Sequence, residues 1–215
     1  MNDEFRQAIE RGDVIAVRLA LEADSSLANS TIHWVVNQEN QSDPLHYVSD
    51  CVFNGWLFNG NEGEIAQLLL DHGAALDGSH GRETPLIGAA SLGAEKVAKV
   101  LIDAGADLEA TSVFGARALH WAAWMGLRST VELLIARGAR IDVCDTEFAS
   151  TPLYWAVHGY SPQGPREKRD QIGAAKILID AGASVAVTNK RGLSALDLAK
   201  DCANPGMYQL LQQHS

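Results

Sequence analysis

The chain has 215 residues, 47% hydrophobic and 20% charged, the balance of a folded protein long enough to bury a core. Its formal net charge of -10 excludes a general binder of nucleic acid or anionic membranes, since both need a basic surface. It leaves room for a partner with a basic patch.

No apolar run reaches the roughly 18 residues of a membrane span. The opening MNDEFRQAIERGD carries acids and no apolar core of signal-peptide length, so no secretory leader is expected. The cysteines, Cys51, Cys144 and Cys202, are far apart and odd in number, which suits free thiols in a cytoplasmic protein.

The first predicted element is FRQAIERGDVIAVRLAL (5–21), a helix–turn–helix pattern with charge on one face, as a terminal cap requires. STIHWVVNQENQSD (30–43) follows. Its alternating, β-branched IHWVV predicts a strand over Ile32 to Val36, and NQENQSD reads as a turn. Trp34 on such a finger is a candidate partner anchor, or it lies against the first helix pair.

Beyond it, two motifs recur. A first-helix motif reads DPLHYVSD (43–50), TPLIGAASLG (84–93), RALHWAAWMG (117–126), TPLYWAVHGY (151–160) and SALDLAK (194–200). A second-helix motif reads IAQLLLDHGAALDG (65–78), VAKVLIDAGADLEA (97–110), TVELLIARGARIDV (130–143) and AAKILIDAGASVAV (174–187). Thr84 and Thr151 can cap a first helix, with Pro85 and Pro152 where a missing N–H is harmless. Gly73, Gly105, Gly138 and Gly182 end the second helices, because the residue after a helix usually turns left-handed. The pairs Ala89–Ala90 and Ala122–Ala123 let neighbouring first helices approach closely. These glycines are 32, 33 and 44 residues apart.

A period near 33 carrying these two motifs resembles the ankyrin repeat over nearly the whole chain. The resemblance implies an all-α solenoid of stacked helix–turn–helix units with projecting β-hairpin loops, about six repeats including caps. One domain over 1–215 is expected: a cap at 1–29, repeats at about 30–78, 79–110, 111–143 and 144–187, and a cap at 188–215. No repeat keeps all four residues of T-P-L-H, so the family's hydrogen-bond network is expected to be patchy and stability modest. Trp121 and Trp155, at a position where the family often carries Trp, are expected to pack between repeats. His46 and His120 are expected to serve the scaffold.

Two repeats break the pattern between their helices. From capping residue to terminal glycine, the regular repeats take 21 residues, but 43 to 73 takes 30 and 151 to 182 takes 31. The first excess lies in SDCVFNGWLFNGNEG (49–63), aromatic and nearly uncharged, and the second in SPQGPREKRDQ (161–171). The first either folds back on the neighbouring core or offers an apolar contact with Trp56 and Phe58. The second reads as a solvated loop.

The resemblance further implies recognition of a protein through loop tips and the exposed side of the first helices. The tips are Ser79, His80 and Arg82; Val113 and Phe114; Asp145, Glu147 and Phe148; and Asn189, Lys190 and Arg191. The first-helix positions are Ser91 and Leu92, Trp124 and Met125, and His158 and Gly159. Phe114, Trp124, Met125, Phe148 and His158 form a central aromatic cluster, the composition of a binding hot spot. Phe148 stands where the repeat calls for glycine.

No G-x-S-x-G, phosphate loop, H-E-x-x-H or C-x-x-C is present, so neither catalysis, a metal nor a cofactor is expected. Cys144 and His158 are the pair to examine if it were an enzyme. The reading is a monomeric scaffold or regulatory adaptor for a protein of unknown identity. The alternative is a small-ligand-binding or catalytic protein using a groove beside residues 51–60.

Overall fold

A computed structural model describes residues 2–34, 40–78, 83–161, 170–201 and 205–215. They contain six antiparallel helix pairs in two compact units, Met1–Asp107 and Leu108–Ser215. In the first unit the pairs are α1 (Asn2–Glu10) with α2 (Val14–Ala23), α3 (Pro44–Phe53) with α4 (Glu62–Asp71), and α5 (Pro85–Leu92) with α6 (Glu95–Asp103). In the second they are α7 (Ala118–Met125) with α8 (Arg128–Ala136), α9 (Pro152–Tyr160) with α10 (Gln171–Asp180), and α11 (Ala195–Asp201) with α12 (Pro205–Gln212). Within each unit like packs on like: α3 on α5 and α2 on α4 on α6, then α7 on α9 on α11 and α8 on α10. This is an all-α repeat fold, as the motifs predict.

The local signals act where they were placed. Thr84 and Thr151 accept the amides of Ile87 and Tyr154, each at 3.3 Å, with Pro85 and Pro152 in the first turn. Arg117 has no capping oxygen; instead its amide donates to Nδ1 of His120 at 3.1 Å. Gly73, Gly105, Gly138 and Gly182 all have φ between 85° and 100°, one residue beyond the helix cap. The left-handed step lets the following amide reach back to the helix, as from Ala106 to the Leu101 carbonyl at 3.1 Å and from Ala139 to that of Leu134 at 3.0 Å.

Burial follows the periodicity. Leu69, Leu101, Leu134 and Leu178 are fully buried at equivalent positions of the second helices. Each contributes roughly 1.5–3 kcal/mol relative to an exposed side chain. Ala89, Ala90, Ala122 and Ala123 are likewise fully buried, which brings first helices close. The tightest approach is made by Gly159 of α9, where a Cβ would lie 2.0 Å from the Trp124 carbonyl oxygen.

A further link joins successive repeats within each unit. Asn29 accepts the Ala75 amide at 2.7 Å and Asp77 that of Asp107 at 2.9 Å. Glu109 accepts the Arg140 amide at 3.0 Å, and Asp142 that of Ser184 at 3.1 Å. The last three acceptors stand four residues after Gly73, Gly105 and Gly138, a spacing legible in the motif but not read from it.

The predicted hairpin is present. Ile32–Trp34 (β1) pairs antiparallel with Asn40–Ser42 (β2), and Ile32 faces inward. Val35 and Val36 of the predicted strand lie outside the described residues, as do His80, Arg82 and residues 162–169 of the second insertion.

Candidate functional site

The aromatic insertion of the first unit divides between cover and surface. Helix α3 runs through Cys51 to Phe53, and the chain then turns back so that Leu57 is buried beside fully buried Cys51. Trp56 packs edge-on against Trp34, with ring centroids 5.7 Å apart, and both rings contact Tyr47. Asn59 and Asn61 donate to the Gly12 carbonyl at 3.2 and 2.9 Å, which ties the insertion to the α1–α2 turn. Phe58 is 88% exposed and Phe53 is exposed too. Trp34 thus packs on Tyr47 of α3 and on Trp56 of the insertion, and is half-buried.

In the second unit three loop tips are linked in series. The Phe114 carbonyl accepts the amides of Thr146 and Glu147 at 3.0 and 3.2 Å, and the Phe148 carbonyl accepts that of Lys190 at 2.9 Å. Lys190 Nζ also donates to the Thr146 carbonyl at 2.9 Å. Each tip closes on itself as well, from Ser112 to Ala116, Asp145 to Ser150 and Asn189 to Leu193. The middle tip is one residue longer than the others. The left-handed position held by Gly115 and Gly192 in its neighbours falls on Ala149, with φ 52°. Phe148 thus occupies the position of Phe114 and Arg191, and the residue that replaces the expected glycine is Ala149.

Val113, Phe114 and Phe148 are exposed, at 83%, 38% and 51%. Phe114 contacts both Phe148 and Trp121, with centroids 6.4 and 6.2 Å apart. Trp121 in turn meets Trp124 at 5.9 Å and Trp155 at 5.0 Å, both nearly perpendicular. These rings border an open groove of about 740 Å³. Trp121, Trp124, Tyr154 and Trp155 form one part of its lining, Phe148 and Asn189 the tip side, and His158, Arg191 and Asp201 its polar part.

Three expectations are corrected here. Met125 is 6% exposed and Gly159 is buried, so neither belongs to the surface. Trp121 and Trp124 of α7 and Tyr154 and His158 of α9 line the groove, whereas Met125, one turn after Trp121, is buried. Trp121 therefore packs between repeats as expected and also lines the groove. Asp145 is no tip residue: it is buried and accepts the Phe148 amide at 2.5 Å, the Ser150 amide at 3.1 Å and Trp155 Nε1 at 2.9 Å.

The electrostatics are uneven along the chain. Residues 1–107 hold 17 acids against 6 bases, whereas residues 108–215 hold 10 acids against 11 bases. The net acidity is thus a property of the first unit, and the unit carrying the groove is nearly balanced. Burial, above all, lowers the pKa of His120 to about 4, so its ring is neutral at pH 7. Burial lowers that of His158 too, on the side that faces the groove wall. Burial and the flanking Asp145 and Asp142 raise the Cys144 pKa, which keeps that thiol protonated and opposes a nucleophilic role. Among the described residues no cluster of three or more His, Cys, Asp or Glu is placed to hold a metal ion. Nor is any helix among them long and apolar enough to cross a membrane.

Comparison with known proteins accounts for this architecture. The family model for ankyrin repeats in three copies matches residues 5–112 and 57–145. NF-kappa-B inhibitor delta of Mus musculus is 31% identical over 144 residues, 61% of this chain and 44% of that protein. Palmitoyltransferase Hip14 of Drosophila melanogaster is 26% identical over 113 residues, 53% of this chain and 16% of its own. Human ankyrin repeat and KH domain-containing protein 1 is 46% identical over 85 residues, 37% of this chain and 3% of its own. The chain thus spans less than half the length of these curated relatives. With six helix pairs among the described residues, left-handed glycines after four of the second helices, and a family match from residue 5 to residue 145, the chain belongs to the ankyrin-repeat family.

Proposed function

We propose that this chain is a protein-binding scaffold or regulatory adaptor, with its principal contact surface at the tips and first helices of residues 108–215. The observation that carries the reading is the run of rings from exposed Phe114 and Phe148 into the groove beside Trp121 and Trp124. Aromatic residues held rigid at the centre of a surface concentrate binding energy, because they bury large area at little entropic cost. A relative named as an inhibitor of NF-kappa-B supports action through a protein contact. The likeness to a palmitoyltransferase reaches 16% of that protein and carries no acyl transfer to this chain.

The test is capture from native extract by the wild type and by the Phe114→Ala, Trp124→Ala double variant, with circular dichroism as the folding control. Loss of a captured protein with an unchanged spectrum is expected. Undiminished capture would place the contact elsewhere. A groove of about 740 Å³ also falls in the size range of small-molecule sites, roughly 300–1,000 Å³. That second reading predicts a small molecule that raises the melting temperature of the wild type and loses this effect in Trp124→Ala.

A further inference from the structure

Resting on the groove as the partner site, we propose that its occupant is a peptide segment of a protein with an apolar anchor residue flanked by an acid and a base. The acid faces Arg191, the base faces Asp201, and the anchor lies against the tryptophans.

The argument begins with two charges of opposite sign that line one apolar groove. Arg191 stands on the last tip, where only its backbone amide is engaged, donating to Asn189 Oδ1 at 2.8 Å. Asp201 is the final residue of α11. Among the described residues neither has an ion-pair partner. Other surface charges of this chain do find one on their own helix, as in Lys176 with Asp180 at 2.6 Å and Lys200 with Asp197 at 3.4 Å. Asp201 is also placed against local preference, since the C-terminal end of a helix is negative and favours a cation. A carboxylate retained there, beside aromatic faces that themselves attract cations, forms a receptor for a basic side chain.

The unit as a whole is nearly neutral, so no general field overrides these two groups. An occupant with a single sign of charge satisfies one and is repelled by the other. An uncharged one satisfies neither. A segment carrying both signs satisfies the lining, and with the anchor between them its order of charges sets the direction in which it lies.

A displayed random peptide library selected on the immobilised full chain tests this. The expected consensus is an apolar residue with an acid on one side and a base on the other. A peptide synthesised from it should lose roughly tenfold or more in affinity against Arg191→Glu or Asp201→Lys, by fluorescence anisotropy. Reversing the matching peptide charge should restore binding to each variant. Peptides that depend on Trp124 but show no charge pattern, or that ignore both variants, overturn the inference and leave the groove as a partner site. Failure to enrich any peptide that depends on Trp124 overturns both.

Discussion

Trp155 donates its indole N–H to Asp145 at 2.9 Å, a hydrogen bond that joins the middle of helix α9 to the base of the tip carrying Phe148. The same carboxylate receives the amides of Phe148 and Ser150. One buried acid thus sets the tip and one groove wall together. Asp145→Ala strands three donors in a buried place. Urea unfolding should show a loss of about 2–4 kcal/mol, and near-ultraviolet circular dichroism should report disordered tryptophans.

Glycines of this chain are retained for two different reasons, and alanine substitution separates them. At Gly159 the backbone of Trp124 stands in the way, so Gly159→Ala must push α7 and α9 apart and lose about 3 kcal/mol or more. At Gly105 the space is open but φ is 89°, so Gly105→Ala should lose only about 1 kcal/mol. Equal losses in denaturant titrations would refute the distinction.

Ala149 holds a left-handed conformation that its neighbours give to glycine. Relief of that strain outweighs the added freedom of the unfolded chain, so Ala149→Gly should raise stability by about 0.5–1 kcal/mol. Binding through Phe148 should be preserved. A loss of stability would mean that the Ala149 methyl packs favourably.

His120 makes stability depend on pH. Its folded pKa, about 4, lies below the unfolded value of 6.5, so between these limits the unfolded chain binds a proton that the native ring refuses. The contribution is complete above pH 6.5 and lost as pH falls toward 4, at about 1.4 kcal/mol per pH unit. Carboxylates also protonate toward the lower limit, so the readout is the difference between wild type and His120→Gln. That difference should shift by on the order of 3 kcal/mol in favour of the wild type as pH rises from about 4 to neutral. A difference independent of pH would show that the fold leaves the His120 pKa unshifted.

Much of the architecture was legible in the chain before any coordinates. Thr84 with Pro85, and Thr151 with Pro152, announce helix starts because an N-cap is a contact between near neighbours. Gly73, Gly105, Gly138 and Gly182 announce helix ends because a left-handed backbone step is a local demand. The site was legible only in part. Phe114 and Phe148 lie exposed on tips and Trp124 lines the groove, whereas Met125 and Asp145, read as surface residues, are buried. Asp201 was not considered, since nothing in SALDLAKD sets it apart from Asp197.

The amino-acid sequence by itself determined which segments are helical, where each stops and how often the unit recurs, since those depend on residues within a few positions of one another. Only the tertiary structure decided that Trp121 faces a groove while Met125 turns inward, that Leu57 is covered while Phe58 is bare, and that Arg191 and Asp201 line the same groove. Those outcomes depend on side chains that meet across separate repeats, where burial and charge are set by a neighbour distant along the chain.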